Sequence, residues 1–207
     1  IRDEDGVEYI YGARNKNAEG IKFNAKDGKI ALKLTVAAIA EKSGLRIRRM
    51  NPTAITVAPN GDIFLADGYY SNRIFRFDKT GQYLAHFGKK GNGMEQFNTA
   101  HGMTLDTRYD PPRLLICDRN HQPKGRLHHY SLDGEYINEV IGGLGMPTSA
   151  AVRGGTVSVP DLHGRVVVLD NSNTSCIGCG ICITICPMDV LSFDPRPQTS
   201  LVQIEAF

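Results

Sequence analysis

The stretch Asn51-Pro52-Thr53-Ala54-Ile55-Thr56-Val57, followed by Asp62-Ile63-Phe64-Leu65-Ala66-Asp67-Gly68-Tyr69 and Asn72-Arg73-Ile74-Phe75-Arg76-Phe77-Asp78, decides the fold. Its apolar runs are short, rich in β-branched and aromatic residues, and separated by turn signals such as Asn60-Gly61 and Thr80-Gly81, which reads as consecutive strands. A further run, Tyr83 to Gly88, completes a four-stranded meander. The pattern then returns with a period of about 47 residues, the mark of a repeat architecture. The second copy is His101-Gly102-Met103-Thr104-Leu105-Asp106, Leu114 to Asp118, Gly125 to Tyr130 and Tyr136 to Gly142, with Asp133-Gly134 as a turn. The third is Pro147 to Val152, Val157 to Asp161 and Arg165 to Asp170, and it ends without a fourth strand. Units of this kind are propeller blades.

The pairs Ala66-Asp67, Cys117-Asp118 and Pro160-Asp161 close the second strand of each copy, and Asn72-Arg73-Ile74, Gly125-Arg126-Leu127 and Gly164-Arg165-Val166 open the third. In these features residues 50–170 resemble the NHL-repeat family of β-propellers. The resemblance implies a ring of six blades, which three blades and part of a fourth cannot close. Unpaired blade edges are normally avoided, so the expectation is that flanking sequence, or another element, covers them.

Residues 1–49 read as part of a preceding blade. Glu19 to Phe23 and Lys29 to Leu34 flank an Asp27-Gly28 turn and form a hairpin, and Val36 to Ser43 suits a short helix capped by Gly44. Arg46, Arg48 and Arg49 form the one basic cluster, expected on a solvated strand edge. The formal charge is only +2 and there is no long run of like charge, which argues against a nucleic-acid partner. The longest apolar stretch, Ala31 to Ala40, is interrupted by Lys33 and is too short for a membrane span. The chain opens on Ile1, so the sequence does not speak to a signal peptide.

After the third copy the polar run 171–175 reads as a linker into residues 176–207. There Cys176, Cys179, Cys182 and Cys186 are spaced C-x2-C-x2-C-x3-C-P, the run by which bacterial-type ferredoxins hold a 4Fe-4S cluster. Two-residue spacers let three thiolates wrap one cube, and Gly178 and Gly180 remove Cβ bulk where the chain hugs it. A zinc knuckle and a disulfide pair are the alternatives, though zinc sites usually place two C-x2-C units farther apart or add histidine, and no histidine follows His163. In two-cluster ferredoxins the fourth cysteine serves the other cube. No second run is present in this sequence, so the segment reads as truncated, and its abrupt junction with the blades as a fusion or a fragment. The fold class expected is therefore mainly β: a partial NHL-like β-propeller of three recognisable blades plus a partial one, followed by a small ferredoxin-like iron–sulfur segment.

Within the propellers, Asp67-Gly68-Tyr69, Asp118-Arg119-Asn120 and the position of His101 resemble motifs of the peptidyl-hydroxyglycine amidating lyases. That resemblance implies zinc on His101, Tyr69 as base and Arg119 as an anion clamp. The corresponding residues of the neighbouring copies are Thr53 and Thr148, so the repeats offer one histidine where such a site needs three ligands. His128 and His129 alternate across a strand and so face opposite ways, and Cys117 reads as a buried thiol. Gly88 to Gly93 and Gly142 to Gly145 read as interblade loops. The functional expectation is 4Fe-4S electron transfer to a redox partner protein, with the propeller as scaffold or as surface for a protein or peptide ligand. A zinc-dependent lyase and a non-catalytic interaction module are the alternatives. Cluster thiolates need reducing conditions, so the expected location is the cytoplasm.

Overall fold

The computed structural model describes residues 2–169, 191–193 and 204–206. The fold is mainly β, with four propeller-type sheets. The first holds β1 (Arg2–Glu4), β2 (Val7–Arg14), β3 (Glu19–Asn24) and β4 (Ile30–Thr35). After helix α1 (Val36–Ser43), the second holds β5 (Ala54–Val57), β6 (Ile63–Ala66), β7 (Ile74–Phe77) and β8 (Tyr83–Phe87). The third holds β9 (Ala100–Asp106), β10 (Arg113–Asp118), β11 (Gly125–Tyr130) and β12 (Tyr136–Leu144). In the fourth, β13 (Ala151–Arg153), β14 (Thr156–Asp161) and β15 (Arg165–Leu169) are joined by β16 (Leu191–Phe193) and β17 (Ile204–Ala206), in the order β13-β14-β15-β17-β16. Sequential strands pair antiparallel in each of the first three sheets, which is the meander that short turns permit. The turn glycines explain themselves: Gly61 at φ 95° and Gly134 at φ 89° adopt a backbone that a Cβ disfavours.

The chain divides into two compact units, Ile1–Met103 and Thr104–Phe207, with β9 beginning in the first. In the first unit the sheets of β1–β4 and β5–β8 share a core of Leu34, Ile39, Met50, Ile63, Leu65, Phe75 and Phe77. Strand β6 is buried on both faces, so Ile63 and Leu65 enter this core while Phe64 and Ala66 are buried on the opposite side. Helix α1 contributes Ile39 to the same core. Its N-cap Thr35 accepts from the Ala38 N–H through Oγ1 at 3.5 Å, and Gly44 at φ 68° ends it as expected. In the second unit Leu115, Cys117, Leu127, Val140, Leu144, Val157, Val159, Val167 and Leu169 form one cluster, and Cys117 is the buried thiol foreseen. His129 and His128 do alternate on β11: the first bonds Asp106 at 2.9 Å, and the second lies beside Tyr136.

Several expectations need correction. The partial blade at the N-terminus is a complete four-stranded sheet, because β1 and β2 are charged or half-exposed strands without an apolar run to announce them. The third repeat has a strand beside β15, supplied by β17 from beyond the cysteine run, where repeat spacing gives no cue. Its first strand is shorter than read, since Pro147 makes only an isolated bridge to Asp161. Gly142 and Gly143 lie within β12, whose pairing with β11 is bulged, and not in a loop. Arg46, Arg48 and Arg49 are on no strand: they sit in the connection between α1 and β5. The linker 171–175 and all four cluster cysteines lie outside the described residues. Among the described residues no helix is long and apolar enough to cross a membrane.

Burial of the shared core sets the first testable outcome. Phe75→Ala removes a fully buried ring and should lower unfolding stability by about 3–5 kcal/mol. Leu84→Ala on the neighbouring strand, where the side chain is exposed, should change it by less than about 0.5 kcal/mol. Urea midpoints of the two variants check the contrast.

Candidate functional site

The loop from β6 to β7 begins at Asp67, a buried carboxylate. Its Oδ1 accepts from the Asn51 N–H at 2.6 Å and its Oδ2 from the Ser71 N–H at 3.0 Å. Burial pushes the Asp67 carboxyl above the usual carboxylate range, against these hydrogen bonds. Gly68 follows where only glycine fits: a Cβ there would stand 1.9 Å from the Ala100 carbonyl oxygen. Asn72, at φ 55°, is buried and accepts through Oδ1 from the N–H groups of Thr99 at 2.7 Å and Ala100 at 3.2 Å. Thr53 donates its hydroxyl to the Ala100 carbonyl at 2.6 Å. The loop is thus fastened to the start of β9 from several directions.

That fastening brings Tyr69 to His101. The Tyr69 hydroxyl and His101 Nε2 are 2.9 Å apart, with the rings edge to face and their centroids separated by 5.5 Å. Tyr69 is 45% exposed, so the pair is held from behind and open in front. The corresponding threonines of neighbouring copies do something else. Thr53 bonds the Ala66 carbonyl at 3.3 Å and Thr148 the Pro160 carbonyl at 3.1 Å, each fastening the last residue before the repeat's aspartate. Sequence reasoning named Tyr69 and His101 separately, and the structure makes them one pair. It missed Asn72, whose signal was an asparagine at a position suited to the left-handed region. Zinc on His101 would require further protein ligands, and among the described residues no group of three or more His, Cys, Asp or Glu stands together to hold a metal. The described residues therefore do not fit a three-ligand zinc site.

Arg119 belongs to the second unit, where it lines a cleft of about 570 Å³ with Asn120, His121, Lys124, His163 and Arg165. The two carboxylates closest in sequence to these groups are buried and committed. Asp118 meets Arg126 Nε at 3.1 Å and His121 Nδ1 at 3.5 Å. Asp161 accepts from the N–H groups of Gly145 and Met146, both at 2.7 Å, of His163 at 3.1 Å, and from Arg165 Nε at 2.9 Å. The cleft surface is accordingly basic, though burial and the charge of Arg126 push the His121 imidazole below its ordinary value. For Asp161, burial alone would raise the pKa, but the hydrogen bonds and Arg165 outweigh it and the carboxyl lies below the usual range. A depressed carboxylate stabilises the fold above its unfolded pKa, and that contribution is lost as pH falls through the folded value. Asp161→Asn should therefore lower stability by about 1–3 kcal/mol at neutral pH and flatten its decline below about pH 4. Denaturant midpoints at pH 7 and pH 3 measure both.

The model of a 6-bladed β-propeller family matches residues 51–141, and that of a 4Fe-4S binding domain matches residues 172–192. A peptidylglycine alpha-amidating monooxygenase of Rattus norvegicus is 30% identical over 95 residues, 43% of this chain and 9% of that protein. A probable peptidyl-alpha-hydroxyglycine alpha-amidating lyase of Caenorhabditis elegans is 31% identical over 103 residues, 49% of this chain and 28% of that one. The chain thus spans less than a third of either relative. Among solved structures, a streptogramin B lyase superposes with a TM-score of 0.56 at 13% identity, covering 79% of this chain and 48% of that one, which speaks to the fold alone. Residues 50–170 are thus similar to NHL-type β-propellers of the amidating-lyase kind, and residues 176–193 to the bacterial-type 4Fe-4S ferredoxin motif.

Proposed function

We propose that the chain is an iron–sulfur electron-transfer protein in which the propeller is scaffold or binding surface. One observation carries the reading: the run Cys176, Cys179, Cys182 and Cys186 falls inside the stretch matched by the 4Fe-4S binding domain. A set of four thiolate donors with no intervening histidine suits iron and sulfide. When bound, such a cluster supplies one-electron transfer. The chain's own contribution is to seat it with Cys176, Cys179 and Cys182, to keep the backbone close at Gly178 and Gly180, and to present it to a redox partner protein in a reducing compartment, the cytoplasm.

Ligand counting makes this testable. Three cysteines seat three irons of one cube, while the fourth follows a longer spacer and normally turns to another cube. Anaerobic reconstitution should give a labile, substoichiometric 4Fe-4S or a 3Fe-4S form. Cys179→Ser should abolish it, and Cys186→Ser should have a much smaller effect. Iron and sulfide analysis with electron paramagnetic resonance reads the result. A zinc-loaded, iron-free product would overturn the proposal.

The hydrogen bond between Tyr69 and His101 favours a second reading, a lyase acting on a carbinolamide as the names of the relatives indicate for them. In it the Tyr69 oxygen takes the proton from the substrate hydroxyl while its own proton passes to His101 Nε2. The carbinol carbon becomes the aldehyde carbonyl as the C–N bond breaks, and the proton returns through Tyr69 to the departing amide nitrogen. With a peptidyl-hydroxyglycine substrate, Tyr69→Phe should reduce glyoxylate release by about 10²- to 10⁴-fold. An absence of release by the unaltered chain, with zinc supplied, would remove this reading.

A further inference from the structure

The connection between α1 and β5 alternates as a strand would, yet pairs with nothing in a sheet. Leu45 and Ile47 pack against the core of the first unit and Met50 is buried within it, while Arg46, Arg48 and Arg49 are exposed. None of the three arginines makes an ion pair among the described residues. The Arg49 guanidinium lies over the Tyr70 ring at 4.6 Å, and Tyr70 and its neighbour Tyr69 are 40% and 45% exposed. The two segments are joined rigidly: the Tyr69 N–H bonds the Asn51 carbonyl at 3.3 Å, and the Asn51 N–H bonds the Asp67 carboxylate at 2.6 Å. The Arg49–Tyr70 contact and these two hydrogen bonds thus fasten the arginine segment to the Tyr69-Tyr70 loop within the first unit.

We infer that this surface, Arg46, Arg48, Arg49, Tyr69 and Tyr70, docks an acidic, extended segment of a protein partner. Charge complementarity selects the chemistry. Guanidinium forks match carboxylates in pairs of parallel hydrogen bonds, and stacking on Tyr70 holds the Arg49 fork without blocking its edge. The two arginines on alternate residues stand about 7 Å apart along an extended chain, the same repeat at which an extended peptide presents every second side chain. Tyrosine and arginine are the residues that carry binding energy in protein interfaces, and the rings offer an apolar rest for the aliphatic residues between the acids. Nucleic acid fits less well, since the overall charge of +2 provides no broad positive field to follow a phosphate backbone. The inference does not depend on the cluster or on the lyase chemistry.

The test uses the full chain and a fluorescein-labelled peptide of eight residues alternating glutamate and leucine. Anisotropy titration should show binding that weakens as salt rises, with the glutamine-for-glutamate peptide at least about tenfold weaker. Replacing all three arginines by alanine should weaken binding by about tenfold or more, while Arg14→Ala, on β2, should leave it unchanged. Arg49→Lys keeps the charge but loses the planar stack, and should give an intermediate loss. These side chains are exposed, so a melting curve matching the parent's is expected. Should the triple variant fail to fold, the single variants Arg46→Ala and Arg48→Ala carry the test. Equal binding by the arginine variants, equal binding of the glutamine peptide, no binding up to about 1 mM, or tighter binding of a single-stranded oligonucleotide would each overturn the inference.

Discussion

Each of the last three blades turns on a buried carboxylate at the end of its second strand: Asp67, Asp118 and Asp161. An ionised carboxylate removed from water must be met by several donors or it destabilises the fold by several kcal/mol. Those donors fix the connections. Asp67 holds the Asn51 N–H and Asp161 the Gly145 and Met146 N–H groups, so the chain entering the blade is bound to the end of its second strand. Asp118 and Asp161 also take the Nε of Arg126 and Arg165, which open the third strand. The aspartate and arginine that mark the repeats in sequence are therefore two sides of one interaction. The blade containing Tyr69 departs from this rule. There Asp67 binds the Ser71 N–H, and Arg73 Nε has no hydrogen-bond partner among the described residues.

The repeat was legible because the buried second strands of the blades are nearly continuous apolar runs. Ile63 to Ala66 and Leu114 to Cys117 are wholly buried, and few other local structures tolerate that composition between two turn signals. What was illegible has equally physical reasons. Strand β1 is Arg-Asp-Glu, stabilised by pairing with β2 and not by side-chain burial, so no hydrophobic period announces it. Strand β17 reaches β15 across 34 intervening residues that bear no repeat. The arginine connection alternates like a strand because its apolar residues are pinned to the core, and alternation alone does not distinguish pinning from pairing.

The candidate site was half legible for a related reason. Tyr69 and His101 could each be named from motif position, yet they are separated by 32 residues, and their contact depends on how a loop is held against the following blade's first strand. The devices that hold it leave faint traces. Gly68 is required by the approach of a backbone carbonyl, and Asn72 combines an uncommon backbone region with two accepted hydrogen bonds, so both are explained by close packing before any chemistry is invoked.

Symmetry then separates structure from function. At the head of the first strand, Thr53 and Thr148 do the repeat's ordinary work of fastening the residue before the aspartate. His101 stands at the same position but reaches across to the Tyr69 hydroxyl. A residue needed only for packing would be expected to resemble its equivalents, whereas this one differs beside a loop held by several hydrogen bonds. In the lyase reading this backing would matter for proton transfer, because a phenol and an imidazole placed by a held loop need little reorganisation. The same reasoning covers the arginine segment next to it. Its anchors, Leu45, Ile47 and Met50, satisfy the core, and the exposed arginines between them contribute nothing to that packing. Their exposure is what the proposed docking of an acidic segment rests on.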